Sequence, residues 1–144
     1  MEAPPKINPS PSLNIFAGVV LGASLLGVCA VVFFFNPVQS GFYPVCLFHR
    51  LTGWNCPGCG ATRALYALLH GDFGAAFRDN ALFVLTLLLA GGRGGWIWAS
   101  KTMGRPVGNF VPPKFLWIYL ALLLLFGVVR NLPGFEWLSP APTA

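Results

Sequence analysis

Charge is scarce in this sequence. Nine basic and four acidic residues stand against 56% apolar ones, so charged side chains make up 9% of the 144 residues. An average soluble domain carries about 25%. So few charges cannot cover the surface of a water-soluble globule, which argues against a soluble enzyme and a disordered chain. No Lys/Arg run occurs, so the formal charge of +5 does not form a phosphate-binding stripe, and no nucleic-acid partner is expected. Paired carboxylates, a phosphate loop and any Ser/His/Asp or Cys/His/Asn arrangement are also missing. No segment reads as a β-strand.

Long apolar runs are what the sequence has. Asn14 to Phe35 is 22 residues without a charge. That length rises roughly 33 Å, enough for a hydrocarbon core of about 30 Å. The run is longer than a signal-peptide core, Glu2 accompanies the leading Lys6, and no small-x-small cleavage site follows cleanly. A retained helix is expected. The second candidate span, 81–99, opens on ten uncharged residues and ends in Gly91-Gly-Arg93-Gly-Gly95 and Trp96-Ile-Trp98. Those glycines either admit a neighbouring helix or break the span, and Arg93 is placed to snorkel. The third, 115–131, lies between Pro112-Pro113 and Pro133. Its apolar part, Phe115 to Val129, rises only about 22 Å and must borrow flanking residues or thin the bilayer. Gly18 and Gly22 have small-xxx-small spacing, and Cys29 reads as an inert small apolar residue.

The expected fold is all-α: a polytopic membrane protein with three transmembrane helices and a short interfacial or re-entrant helical layer between the first and second. A Pro-rich tail (1–13) precedes span 14–35, loop 36–80 follows it, a basic loop (100–114) joins the last two spans, and 132–144 forms a tail. Lys101, Arg105 and Lys114 in the basic loop, with no acid beside them, place that loop in the cytoplasm. The protein is then expected in the cell membrane, multi-pass, with loop 36–80 on the outer face.

That loop concentrates the chemistry. It holds Cys46, Cys56 and Cys59, both histidines (His49, His70) and both aspartates (Asp72, Asp79). Ala61–His70 reads as a helix with Leu65, Leu68 and Leu69 on one face, Gly71 as its stop and His70 bonding a terminal carbonyl. Asp72 is placed to cap a following turn, and Asn80 to cap the second span. Arg63 needs a partner: Asp72, Asp79 or the carbonyls of the cysteine turn. Arg130 reads as an interfacial or snorkelling residue.

Three chemistries fit the cysteines. In a thiol–disulfide site, Cys56-Pro-Gly-Cys59 would exchange with Cys46, the dipole of the following helix and Arg63 favouring the Cys59 thiolate. In a metal site, Cys46-x2-His49 and Cys56-x2-Cys59 supply four ligands for zinc. In a structural site, Cys46 is bridged to Cys56 or Cys59, or the thiols are inert.

The string Cys56-Pro-Gly-Cys59-Gly-Ala-Thr62-Arg63, followed by His70-Gly71-Asp72 and Asn80, resembles an uncharacterised bacterial membrane family, domain of unknown function 2752. Cys46, Leu51-Thr-Gly53 and Arg130-Asn131 resemble it too, so the likeness runs from Tyr43 to Asn131. Leu47 and Ala81 stand where that family commonly has proline, so the entry to the second span is expected to be less kinked. The resemblance implies a membrane architecture and an important loop, with Thr62, Arg63, His70, Asp72, Asn80 and Arg130 as structural or partner-binding residues. It implies no reaction. The expected role is therefore an ordered membrane-rim loop that is structural or docks a lipid, a membrane protein or a second copy of the chain. A thiol–disulfide oxidoreductase using Cys56 and Cys59 is the alternative, and a zinc-stabilised module the third.

Overall fold

A computed structural model describes residues 11–44, 46–106, 108 and 112–139. Five α-helices follow one another: α1 (Pro11–Phe34), α2 (Leu47–Thr52), α3 (Ala61–Leu69), α4 (Phe73–Thr102) and α5 (Pro113–Val129), with a 3-10 turn at Glu136–Leu138. No strand occurs among the described residues.

Two helices have the length and apolarity to cross a bilayer: α1, over Ile15–Phe34, and α4. Helix α5 falls short, because its 17 residues rise only about 25 Å. It starts on Pro113 inside its first turn, where a missing N–H costs nothing, and ends at Val129 rather than 131. Large apolar side chains point outward along all three helices. Ile15, Leu26, Phe34, Leu89, Leu116 and Trp117 are each more than half exposed. Water would penalise that surface heavily, whereas lipid does not.

The buried core is small and lies at one rim. Ala64 and Ala67 of α3 meet Ala76 and Val84 of α4, with Leu68, Ala75 and Phe83 packed around them. Three of those four core residues are alanine, so the backbones of α3 and α4 can approach closely.

Local signals set the ends of α3 and α4. Gly71 takes φ +77°, its N–H bonds Leu68 O at 3.1 Å, and Asp72 N–H bonds Ala67 O at 2.9 Å. These two reversed bonds satisfy the last carbonyls of α3, and glycine permits the left-handed turn. His70 Nδ1 lies 2.9 Å from Tyr66 O, as expected of a terminal histidine. Its ring stacks on Phe33 of α1 at 4.5 Å, tying α1 to the layer, and lies tilted against Tyr66 at 4.1 Å. Asp72 Oδ1 accepts from Ala75 N–H at 2.8 Å and caps α4. Helix α4 then kinks at Asn80 (φ −162°, ψ 90°), whose Oδ1 accepts from Phe83 N–H at 2.9 Å. The cap falls where the sequence predicts it, but the entry is kinked despite Ala81. The side-chain cap sets the bend without a proline.

Among the described residues, the glycine run of α4 neither breaks the helix nor receives a neighbour. Residues 91–95 stay helical, and a Cβ on Gly91, Gly92, Gly94 or Gly95 would meet nothing within 4 Å. Gly18 and Gly22 are equally open. Arg93 reaches the basic loop, donating to Gly108 O at 2.8 Å.

Candidate metal centre

Two short segments bring three thiols together. Cys46 immediately precedes α2, while Cys56 and Cys59 flank a tight turn closed by Cys59 N–H on Cys56 O at 3.0 Å. Cys46 Sγ lies 3.4 Å from Cys56 Sγ, and Cys56 Sγ lies 3.2 Å from Cys59 Sγ. All three sulfurs fall within 4.8 Å of one another. The cysteines are free, and those separations exceed the roughly 2.05 Å of a disulfide bond. The expected bridge from Cys46 is therefore absent, although the residues chosen for it are neighbours. Cys29 also is a free thiol, on α1.

Three thiols this close repel once ionised unless a cation joins them. The His49 backbone N–H is directed at the Cys46 sulfur. With the neighbouring thiols and the Phe48 N–H, it holds the Cys46 pKa below the ordinary value, against the effect of burial. Backbone N–H groups directed at cysteine sulfur favour the thiolate, the form that binds metal. Cys59 goes the other way. Burial, reinforced by Cys56 and Cys46, pushes its thiol up to about 12. The sequence predicts a Cys59 thiolate favoured by the α3 dipole, and desolvation overrides that here. Gly60, not Cys59, occupies the cap position of α3.

The turn is held from outside the loop. Asn80 is fully buried, and its Nδ2 donates to Pro57 O at 2.8 Å and Cys59 O at 3.1 Å. Arg130, at the end of α5 and 1% exposed, donates through one terminal nitrogen to Cys56 O (2.9 Å) and Cys59 O (3.0 Å). Its other terminal nitrogen approaches Asp79 O at 3.4 Å, and the guanidinium lies 5.1 Å over the Phe126 ring. This corrects one expectation: Arg130 is not a snorkelling anchor but a buried cation on the carbonyls of the turn. The reason is reach: the end of α5 lies directly against the turn. Gly127 makes that approach possible, since a Cβ there would sit 2.8 Å from Pro57 Cγ.

Asn131 completes the clamp. Its Oδ1 accepts from Asn55 N–H at 2.8 Å, and its Nδ2 donates to Asn55 O at 2.9 Å and Gly127 O at 2.6 Å. Ser139 Oγ donates to Arg130 O at 2.8 Å and closes the far side. The signal for Asn131 was its place beside Arg130 after an apolar helix. Asn55, Gly127 and Ser139 carry no local signal.

The other predicted residues divide. His49 does not join the sulfurs; its Nδ1 sits 3.3 Å from Trp54 O and the residue is exposed. Thr62 is exposed on the first turn of α3, whereas Arg63 is half-buried and its charge acts on the Asp79 carboxylate. His70, Asp72 and Asn80 order the helix ends already described.

Residues 46–93 match the family model described as Protein of unknown function (DUF2752). The DUF2752 segment covers about a third of the chain and contains all three clustered cysteines and Asn80, but not Arg130 or Asn131. No curated protein and no solved structure matches the chain. The DUF2752 description assigns no activity, so the chemistry has to be argued from the site.

Proposed function

We propose that this protein is a three-span integral membrane protein whose outer-rim loop is ordered around one zinc ion bound by Cys46, Cys56 and Cys59. The observation that carries the reading is the mutual approach of three sulfurs within 4.8 Å. Zinc–sulfur bonds of about 2.3 Å at tetrahedral angles need sulfurs about 3.8 Å apart, so the cluster requires only small shifts to bind. Zinc is favoured over hard cations because every ligand is a thiol. A loop so ordered offers a lipid headgroup or a membrane partner a fixed surface. Its outward orientation rests on Lys101, Arg105 and Lys114 at the opposite end.

Full-length protein purified in detergent without chelator is expected to carry about one zinc per chain. Alanine at Cys46, Cys56 or Cys59 is expected to remove it, and alanine at His49 to leave it. Metal-free wild-type protein with an intact fold overturns the proposal.

Thiol–disulfide exchange is the second reading, favoured by the position of Cys56 within 3.4 Å of both other sulfurs. The exchanging thiolate would be Cys46, whose ionised form is favoured, rather than buried Cys59. Maleimide trapping before and after mild reduction tests it: thiols that do not cycle exclude an oxidoreductase.

A further inference from the structure

We propose that the fourth coordination position of this centre opens to solvent and accepts a neutral nitrogen donor of the imidazole class from outside the chain, with water there otherwise. This rests on the metal reading above. Among the described residues, the cluster offers three ligand atoms and no fourth. His49, the sequence's candidate, has its ring at Trp54 O, while its backbone N–H serves Cys46. The buried side of the cluster is closed by Asn80 and Arg130 on the carbonyls of the turn. Cys46 and Cys56 remain partly exposed, so the free position faces outward from them. Three protein ligands with an open fourth position is the pattern of exchangeable zinc sites, in contrast to closed structural ones.

Charge selects the class of donor. Three thiolates and a divalent ion sum to one negative charge. The Arg130 guanidinium stays protonated and lies against two of the ligand residues, offsetting that charge. A fourth thiolate or another anion would leave an uncompensated negative charge in a partly buried site, and a neutral nitrogen donor does not.

The test uses the full chain in detergent micelles with cobalt(II) in place of zinc. Sulfur-to-cobalt charge-transfer absorption reports the three thiolates, and the visible d–d bands report the fourth position. Added imidazole is expected to change the d–d bands saturably, in wild type and equally in His49→Gln, with the charge-transfer bands retained. Azide is expected to need roughly tenfold higher concentration for the same change. Absence of charge-transfer absorption overturns the metal reading and this inference with it. Charge-transfer bands with d–d bands that ignore imidazole in both proteins leave the metal reading standing and overturn the open position. A response confined to His49→Gln assigns the position to His49 and overturns an outside donor. Azide binding as tightly as imidazole overturns the neutral class.

Discussion

A buried guanidinium bonded to backbone carbonyls couples the end of α5 to the cysteine turn through Cys56 O and Cys59 O. Replacing Arg130 by Met removes both charge-assisted bonds and leaves Cys56 O with the Cys59 N–H and Cys59 O with the Asn80 amide, a loss of about 1.5–3 kcal/mol. Lysine keeps the charge but presents a point donor in place of a fork, so Arg130→Lys should recover only part of the loss. Thermal unfolding in detergent, read alongside proteolysis between Gly53 and Gly60, checks both; an Arg130→Met protein as stable as wild type removes the clamp from the account. The thiols give a second prediction at this scale, for metal-free protein. The fold favours ionised Cys46, so its contribution to stability is present above the ordinary thiol pKa and lost as pH falls through its lowered folded value. The fold favours neutral Cys59, so that contribution is present below the ordinary thiol pKa and lost as pH rises toward about 12. Iodoacetamide should therefore modify Cys46 well before Cys59, with Cys59 resistant from about pH 7 to about pH 9. Equal rates at the two sites by peptide mass spectrometry would contradict the burial argument.

At the scale of elements, α4 is two helices joined at a side chain that works in both directions. Asn80 accepts from Phe83 N–H and donates to Pro57 O and Cys59 O. Asn80→Asp keeps the cap acceptor but sets a carboxylate oxygen against two carbonyls, whereas Asn80→Ala loses all three bonds. Both should lower metal affinity, and the aspartate variant should keep the α4 boundary seen by hydrogen exchange at Phe83. Retention of full affinity in Asn80→Asp would show that the donors do not matter. Glycines in the two apolar helices should separate in the same assay. Gly127→Ala forces the Pro57 contact apart and should cost about 1–3 kcal/mol. Gly92→Ala and Gly94→Ala meet open space in a regular helix and should be neutral or stabilising by up to about 1 kcal/mol each. Destabilisation at Gly92 or Gly94 would reveal a neighbour seated on that face. These contrasts also mark what the sequence could state. Helix ends at His70, Asp72 and Asn80 were legible because capping is local and written in one to four residues. The glycine run was ambiguous because spacing records which residues are small and not whether anything approaches them.

Over the whole molecule, order is concentrated at one rim and thins away from it. The α3–α4 core, the cysteine turn and the residues that close the turn from the end of α5 sit together. Farther along the helices, a side-chain contact such as Thr86 Oγ1 to Tyr119 OH at 3.2 Å joins α4 to α5 across surfaces that otherwise face outward. The residues that build the rim are 71 to 76 positions apart in the bonds Arg130 makes to Cys59 and Asn131 makes to Asn55. No periodicity or motif spacing encodes a pairing at that distance, which is why Arg130 and Asn131 stand out by resemblance while their partners in the turn do not. The same concentration makes the proposed topology testable in one experiment. If α1, α4 and α5 all span, the cysteine rim and the basic loop lie on opposite faces, and Lys101, Arg105 and Lys114 hold their loop in the cytoplasm. In intact cells treated briefly with a chelator, a membrane-impermeant maleimide should then label Cys46. A cysteine introduced at exposed Met103 as Met103→Cys in a Cys29→Ala background should stay unlabelled until the membrane is permeabilised. Labelling of both sites from outside would mean that α4, the long helix between them, does not span. The reverse pattern would keep three spans and turn the thiols toward the cytoplasm, where reducing conditions would favour a metal site over any disulfide.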